Sequence, residues 1–190
     1  MKELEILEKF ALENYVPIIR KDNIEYLEKM IKENKLFNIL ELGSAIGYSA
    51  IRMALVDKNV RVTTIERDFT MVNLARKNIE DFGLETQINL IHEDIFNVKT
   101  TDKFDLIFID AAKAQYIKFF NKFKDNLKDN GVIVSDNLEL LDLQKLTQSK
   151  RSKRLVEKMN EYKEFLNSLE DYKSEYLDIG DGFAITKKVL

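Results

Sequence analysis

The sequence predicts an α/β fold: a doubly wound, mostly parallel sheet of seven strands, preceded by helices and finished by an antiparallel hairpin. Two observations carry this expectation. From residue 38 onward, short continuous apolar runs alternate with segments of helical period, which is how strands buried on both faces of a parallel sheet read. At the end of the chain the alternation stops, and two strand-like runs are joined by the short glycine turn Gly180-Asp181-Gly182.

The elements follow in order. Leu4, Leu7, Phe10 and Ala11, and then Ile24, Leu27 and Ile31, have helical spacing on either side of Pro17. They predict two helices broken at Tyr15-Val16-Pro17-Ile18. Asn38–Leu42 is the first strand, followed by a glycine turn and a helix over Tyr48–Val56. Val60–Ile65 is β-branched and reads as the second strand. A helix over Phe69–Phe82 stops at Gly83, a residue suited to a C-cap. Ile88–Ile91 and Phe104–Ile109 are further strands. A helix over Ile117–Leu127 is expected to close at Asn130-Gly131, before the strand Val132–Val134. A charged helix over Ser152–Leu169 leads to the hairpin strands Tyr176–Ile179 and Phe183–Thr186. The chain is expected to form a single domain over 1–190, with a helical cap over 1–36 and an α/β core over 37–190.

Composition removes several kinds of chemistry. The 190 residues contain no cysteine and one histidine, so disulfides, thiolate zinc sites, a cysteine nucleophile and a histidine-rich metal centre are excluded. Any metal would have to be held by oxygen ligands, which selects a hard cation. A net charge of −3 argues against broad, nonspecific nucleic-acid binding but leaves room for a local basic patch. No run approaches the ~20 apolar residues that span a bilayer. The start, Met1-Lys2-Glu3-Leu4-Glu5, has no signal-peptide apolar region, so a cytoplasmic protein without membrane partners is expected.

In doubly wound sheets, ligands bind beyond the carboxyl ends of the strands. The first strand runs into Glu41-Leu42-Gly43-Ser44-Ala45-Ile46-Gly47-Tyr48-Ser49. Gly43 and Gly47 allow close backbone approach, yet the loop lacks the third glycine of a dinucleotide fingerprint and suits a ligand without phosphates. Glu66, ending the second strand ahead of Arg67, can accept hydrogen bonds from both hydroxyls of a ribose. The third strand leads to His92-Glu93-Asp94, where the backbone and Asp94 can face an adenine and His92 reads as a packing or cofactor-edge residue; this acidity also suits a sulfonium cation. The candidate cofactor contacts are Glu41, Gly43, Ser44, Gly47, Tyr48, Ser49, Glu66, Arg67, Glu93, Asp94 and Asp110. The plainer reading is an ordinary strand-to-helix turn and a surface acid.

Two strand ends carry the chemistry. Phe104-Asp105-Leu106-Ile107-Phe108-Ile109-Asp110 ends in an acid followed by Ala111-Ala112-Lys113, and Val132-Ile133-Val134-Ser135 ends in Asp136-Asn137. Adjacent parallel strands would bring Asp110, Asp136 and Asn137 together as three oxygen ligands, fit for Mg²⁺ or for Mn²⁺ or Ca²⁺. Standing alone, Asp136-Asn137 would read as a helix N-cap or turn.

Taken together, Glu41-Leu42-Gly43 through Tyr48-Ser49, Glu66, Ile109-Asp110-Ala111-Ala112-Lys113 and Ser135-Asp136-Asn137 resemble the metal-dependent O-methyltransferases that include catechol and caffeoyl-coenzyme-A methyltransferases. The resemblance runs over nearly the whole chain. It implies a Rossmann-like, seven-stranded methyltransferase sheet and S-adenosyl-L-methionine as cofactor. It further implies Asp110, Asp136 and Asn137 as metal ligands and Lys113 as the base, with Lys113 and Asp110 forming the catalytic centre. Val16 and Ile18 lie where such enzymes cover the cofactor, and homodimers are common among them. A coordinated divalent cation lowers the pKa of a hydroxyl, and a desolvated lysine can take its proton.

For the acceptor, the stretches Glu13–Ile18, Ala45–Ala54 and Gly180–Ile185 look closer to the bacterial branch that methylates 5-hydroxyuridine at the wobble position of transfer RNA. That resemblance implies the anticodon arm as partner, and the residues add a basic run. Lys145, Lys150, Arg151, Lys153, Arg154 and Lys158 are opposed only by Glu157, with Lys150, Arg151, Lys153 and Arg154 the candidate phosphate contacts. A solvated charged helix is the plainer reading. The rivals are a catechol-like small-molecule acceptor at the same site, a non-catalytic cofactor-binding module, and a nicotinamide oxidoreductase. The incomplete glycine pattern and the terminal hairpin disfavour the last.

Overall fold

A computed structural model describes residues 2–138 and 150–189. Helices α1 (Lys2–Glu13) and α2 (Lys21–Asn34) precede β1 (Asn38–Leu42), α3 (Tyr48–Ala54), β2 (Arg61–Glu66), α4 (Phe69–Asp81), β3 (Ile88–His92) and β4 (Phe104–Ile109). Then come α5 (Tyr116–Phe123), β5 (Leu127–Ser135), α6 (Lys150–Asn167), β6 (Tyr172–Leu177) and β7 (Phe183–Lys188). The strands form one sheet in the order β3-β2-β1-β4-β5-β7-β6. The first five pair in parallel, and β7 runs antiparallel to both β5 and β6. The expected doubly wound sheet with its antiparallel end is the observed one.

Strand side chains alternate between the two faces, so each continuous apolar run feeds two cores. Leu106 and Phe108 of β4 join Val132 and Val134 of β5 in a core closed by Ile24, Leu27 and Ile31 of α2 and Ile51 of α3. Ile107, Ile109 and Ile133 point to the opposite face, where Phe119, Phe120 and Phe123 of α5 pack with Met159, Tyr162 and Leu166 of α6. Polar contacts pin the N-terminal helices to this body. Arg52 of α3 grips the Glu28 carboxylate with two nitrogens at 2.5 and 2.9 Å and donates to the Tyr48 hydroxyl at 2.7 Å, while Tyr48 donates to Glu8 of α1 at 2.5 Å.

Local capping explains several boundaries. Asp68 caps α4 by accepting from the Met71 amide at 3.0 Å, and the α4 backbone closes where the Gly83 amide reaches Glu80. Two sequence expectations need correction. Asn130-Gly131 does not terminate a helix; α5 stops at Phe123, one short 3₁₀ turn follows, and both residues lie within β5. Buried Leu127 re-enters the sheet opposite Phe104, while Lys128, Asp129 and Asn130 bulge into solvent before Val132 pairs with Leu106. The hairpin also begins earlier than its apolar run, because Tyr172–Ser174 pair with Lys188–Thr186 across the sheet edge.

Candidate active site

The site lies where the parallel strands end. Backbone hydrogen bonds continue the ladder one residue past the paired strands: Gly43 donates to Ile65 at 3.0 Å, Asp110 to Leu42 at 3.1 Å, and Asp136 to Ile109 at 3.1 Å. These bonds set Gly43, Asp110 and Asp136 side by side at the carboxyl edge. A cavity of about 330 Å³ opens there. Gly43 has to be glycine: its φ is +99°, and a Cβ would lie 2.5 Å from the Asp110 carbonyl oxygen.

Past the ends of β2 and β3 the cavity is lined by Glu66, Arg67, Asp94 and Ile95, and Gln115 and Phe119 line it as well. Three backbone amides hold the Glu66 carboxylate, Arg67 and Asp68 on Oε1 at 2.8 and 2.9 Å and Ala45 on Oε2 at 3.1 Å. His92 stays at the rim, its Nε2 3.2 Å from the Arg67 carbonyl and its ring 5.9 Å from that of Phe69. Past the ends of β4 and β5 the cavity is lined by Asp110, Lys113, Asp136 and Asn137, and Pro17, Ile18 and Ile19 from the segment between α1 and α2 complete the wall.

Most sequence-predicted positions meet in this space: Ile18, Gly43, Ser44, Tyr48, Ser49, Glu66, Arg67, Asp94, Asp110, Lys113, Asp136 and Asn137 all line it. Four do not. Val16 faces an adjoining groove with Glu8 and Leu12. Glu93 is exposed and turns back to accept from Asp94 and Asn97 at 2.8 and 3.0 Å. Gly47 packs on Ala75, where a Cβ would sit 3.3 Å from that methyl group. Glu41 is fully buried behind the wall, accepting from the Ser49 hydroxyl and from Thr64 Oγ1 at 2.5 Å. Burial pushes the Glu41 carboxyl up to about 7, only partly offset by those two hydrogen bonds.

Around Asp110 and Asp136 two buried carboxyl groups face Lys113. Burial raises the Asp110 carboxyl, with Lys113 opposing the rise and Asp181 adding to it. Burial, and then repulsion from Asp110, pushes Asp136 up to about 7. Asp136 Oδ1 accepts from Asn23 Nδ2 at 2.6 Å and from the Asn137 amide at 2.7 Å, but its buried Oδ2 has no partner among the described residues. Lys113 donates to Asn137 Oδ1. No three His, Cys, Asp or Glu side chains converge among the described residues. The candidate set is two aspartates and one amide oxygen, and an unsatisfied carboxylate oxygen between mutually repelling acids fits a hard divalent cation.

Sequence reasoning missed several polar neighbours. Asp181, on the β6–β7 turn, pairs with Arg20 Nε at 2.8 Å and accepts from Asn137 Nδ2 at 3.4 Å. Asn23 is completely buried. One signal was available: Asn23 falls four, seven and eight residues before Leu27, Met30 and Ile31, so it occupies the apolar stripe of its helix. Of the basic run, Lys150, Lys153 and Arg154 are exposed at the start of α6, which packs against the turn carrying Lys113. Lys145 and the Arg151 side chain lie outside the described residues. Among the described residues no helix is long and apolar enough to cross a membrane.

A sheet of this order, ended by an antiparallel strand pair and opening on such a cavity, is that of an α/β methyltransferase. Residues 1–189 match the O-methyltransferase family model, and the chain belongs to that family. It is 33% identical to a catechol O-methyltransferase of Niastella koreensis over 121 residues, 60% of this chain and 55% of that protein. The match thus spans about half the length of that curated relative. A candidate caffeoyl-CoA O-methyltransferase from Staphylococcus aureus superposes with a TM-score of 0.90 at 35% identity, covering 98% of this chain and 92% of that one. An O-methyltransferase from Bacillus cereus, solved with SAH, shares the fold with a TM-score of 0.83 at 23% identity, covering 100% and 91% of the two chains.

Proposed function

We propose that this chain transfers the methyl group of S-adenosylmethionine to an acceptor hydroxyl placed beside Asp110, Asp136 and Asn137. The observation that supports this is the continuity of the cavity, which is lined by Glu66 and Asp94 and also by Asp110 and Lys113. Glu66, held by three backbone amides, presents a fixed carboxylate to a ribose. Ile95 and Phe119 offer apolar surface for a base, and the acidic groups of the same wall favour a sulfonium.

Asp110, Asp136 and Asn137 would hold a divalent cation, which when bound makes a hydroxyl acidic enough to ionise near neutral pH. Lys113 stands in the same wall and accepts the hydroxyl proton. The acceptor oxygen gains the methyl group as the sulfonium becomes a thioether, and confinement of both reactants in one cavity supplies much of the acceleration. Pro17, Ile18 and Ile19 exclude water from the reacting centre.

For the acceptor, the reading is 5-hydroxyuridine at the wobble position of transfer RNA, giving 5-methoxyuridine. The exposed cations Lys150, Lys153 and Arg154 support it, because they stand on α6, the helix that packs against the Lys113 turn, and cations there can take phosphates flanking a base in the cavity. A second reading, a catechol-like diol, is favoured by the activity named for the Niastella koreensis relative. One assay separates them: labelled S-adenosylmethionine and Mg²⁺ with transfer RNA containing 5-hydroxyuridine or with a catechol, with and without a chelator. Chelator-sensitive label in 5-methoxyuridine supports the first reading. Label in the catechol alone supports the second, and transfer that resists chelation overturns the metal's role.

A further inference from the structure

We infer that Asn23 is a positioning residue for Asp136, turning that carboxylate so that one oxygen is kept for a divalent cation. The inference rests on the metal reading given above and extends it to a residue of the N-terminal helical segment.

Three observations converge on Asn23. It is completely buried, although it sits on the apolar stripe of α2 where a leucine would pack. Its Nδ2 donates to Asp136 Oδ1 at 2.6 Å, and the Asn137 amide donates to the same oxygen at 2.7 Å. Two donors on Oδ1 fix the rotation of the carboxylate, and Oδ2, equally buried, is left without a partner among the described residues. The carboxylate cannot be satisfied by the protein alone, and its open oxygen belongs to a side chain that lines the cavity. Hydrogen bonds to the remaining atoms of a ligand carboxylate are the usual means of orienting it toward a metal.

The fold makes room for this contact at some cost. The Asn23 amide oxygen reaches the hairpin turn, where a Cβ on Gly180 would lie 1.8 Å from it. Gly180 also has a φ of +56°, so both space and backbone geometry require glycine there. Asn23 Oδ1 itself has no hydrogen-bond partner among the described residues. A buried amide that uses its donor on a carboxylate and leaves its acceptor unsatisfied is poorly explained by stability. Orientation of Asp136 accounts for the donor and for the glycine opposite it. Asn23 follows the cavity-lining Pro17–Ile19 segment by one turn of chain, so the segment that covers the cavity also carries the support of the proposed ligand.

The test compares the wild-type chain with Asn23→Leu, which fills the same space without a donor, and Asn23→Ala, which removes the donor without adding bulk. Calorimetry with Mn²⁺ alone, calorimetry with S-adenosylmethionine in the absence of metal, and thermal unfolding are measured for each. The expected result is a 10- to 100-fold rise in the Mn²⁺ dissociation constant in both variants. Cofactor affinity stays within about twofold, and Asn23→Leu unfolds at no lower temperature than wild type. Mn²⁺ affinity within about twofold of wild type in both variants overturns the inference, as does a parallel loss of metal affinity, cofactor affinity and thermal stability. A wild-type chain that takes up no Mn²⁺ overturns the metal reading itself, and this inference with it.

Discussion

Lys113 and Asn137, on the turns that follow β4 and β5, are joined by a hydrogen bond in which the lysine ammonium donates to the amide oxygen Oδ1. The oxygen proposed as a metal ligand is therefore the one the lysine holds, so a bound cation and Lys113 would compete for Asn137 Oδ1, and Lys113 would take the acceptor's proton as the neutral amine. Lys113→Met should then lower kcat by roughly 10²- to 10⁴-fold, the usual contribution of a positioned proton acceptor. Mn²⁺ affinity should stay equal or tighten, because the competing donor is gone. Steady-state rates and a Mn²⁺ titration check both; a weakened metal site with an unchanged kcat would place Lys113 in metal binding instead.

Glu66 should act in cofactor affinity and not in chemistry. Its carboxylate is locked by the Ala45, Arg67 and Asp68 amides, and hydrogen bonds to a charged group contribute about 1.5–3 kcal/mol each. Glu66→Ala should raise the dissociation constant for S-adenosylmethionine by at least about tenfold, with kcat at saturation changed far less. Calorimetry and a kcat-against-KM comparison read the split.

Glu41 predicts a pH dependence of stability. Its folded-state carboxyl is raised from 4.5 to about 7 by burial, so the folded chain holds a proton that the unfolded chain has released between those values. That stabilisation is fully present below about pH 4.5 and is lost as pH rises through about 7. Glu41→Gln mimics the protonated form and can still meet Ser49 and Thr64. Its stability relative to wild type should increase from pH 5 to pH 8, by a few kcal/mol at most. Thermal unfolding across that range checks the sign, and a pH-independent difference would show that Glu41 ionises in the folded chain as it does in the unfolded one.

The start of α6 should distinguish the two acceptors. Replacing Arg151, Lys153 and Arg154 with serine should weaken transfer RNA binding and reduce the salt slope by about 0.9 for each phosphate no longer neutralised. Methylation of a small diol should be unaffected. Filter binding at several salt concentrations provides the measurement, and unchanged RNA affinity would remove the basic helix from substrate recognition.

Much of this was legible in the sequence because it is written in local patterns. Each parallel strand announces itself as an apolar run, and Glu66, Asp110 and Asp136 stand at the ends of such runs, where an open sheet puts its ligands. The misjudged boundary at Asn130-Gly131 has a physical cause. An exposed bulge and a turn share the same polar composition, and the choice was made by Leu127 finding Phe104 across the sheet. Glu41 was placed at the cofactor because its motif is contiguous with the loop. Strand alternation instead turns it behind the wall, toward Thr64 on β2.

By itself, then, the sequence determined the order of strands and helices along the chain, the parallel sheet with its antiparallel end, and the acids at the strand termini. All of these follow from periodicity and from residues close together in the chain. The tertiary structure decided which of those acids face one cavity and what supports them. Asn23 meets Asp136 across 113 residues of sequence, and Asp181 reaches Asn137 only because β7 pairs with β5. Contacts of that span depend on sheet register and helix packing, and those are set by burial of the whole core, which no local pattern encodes.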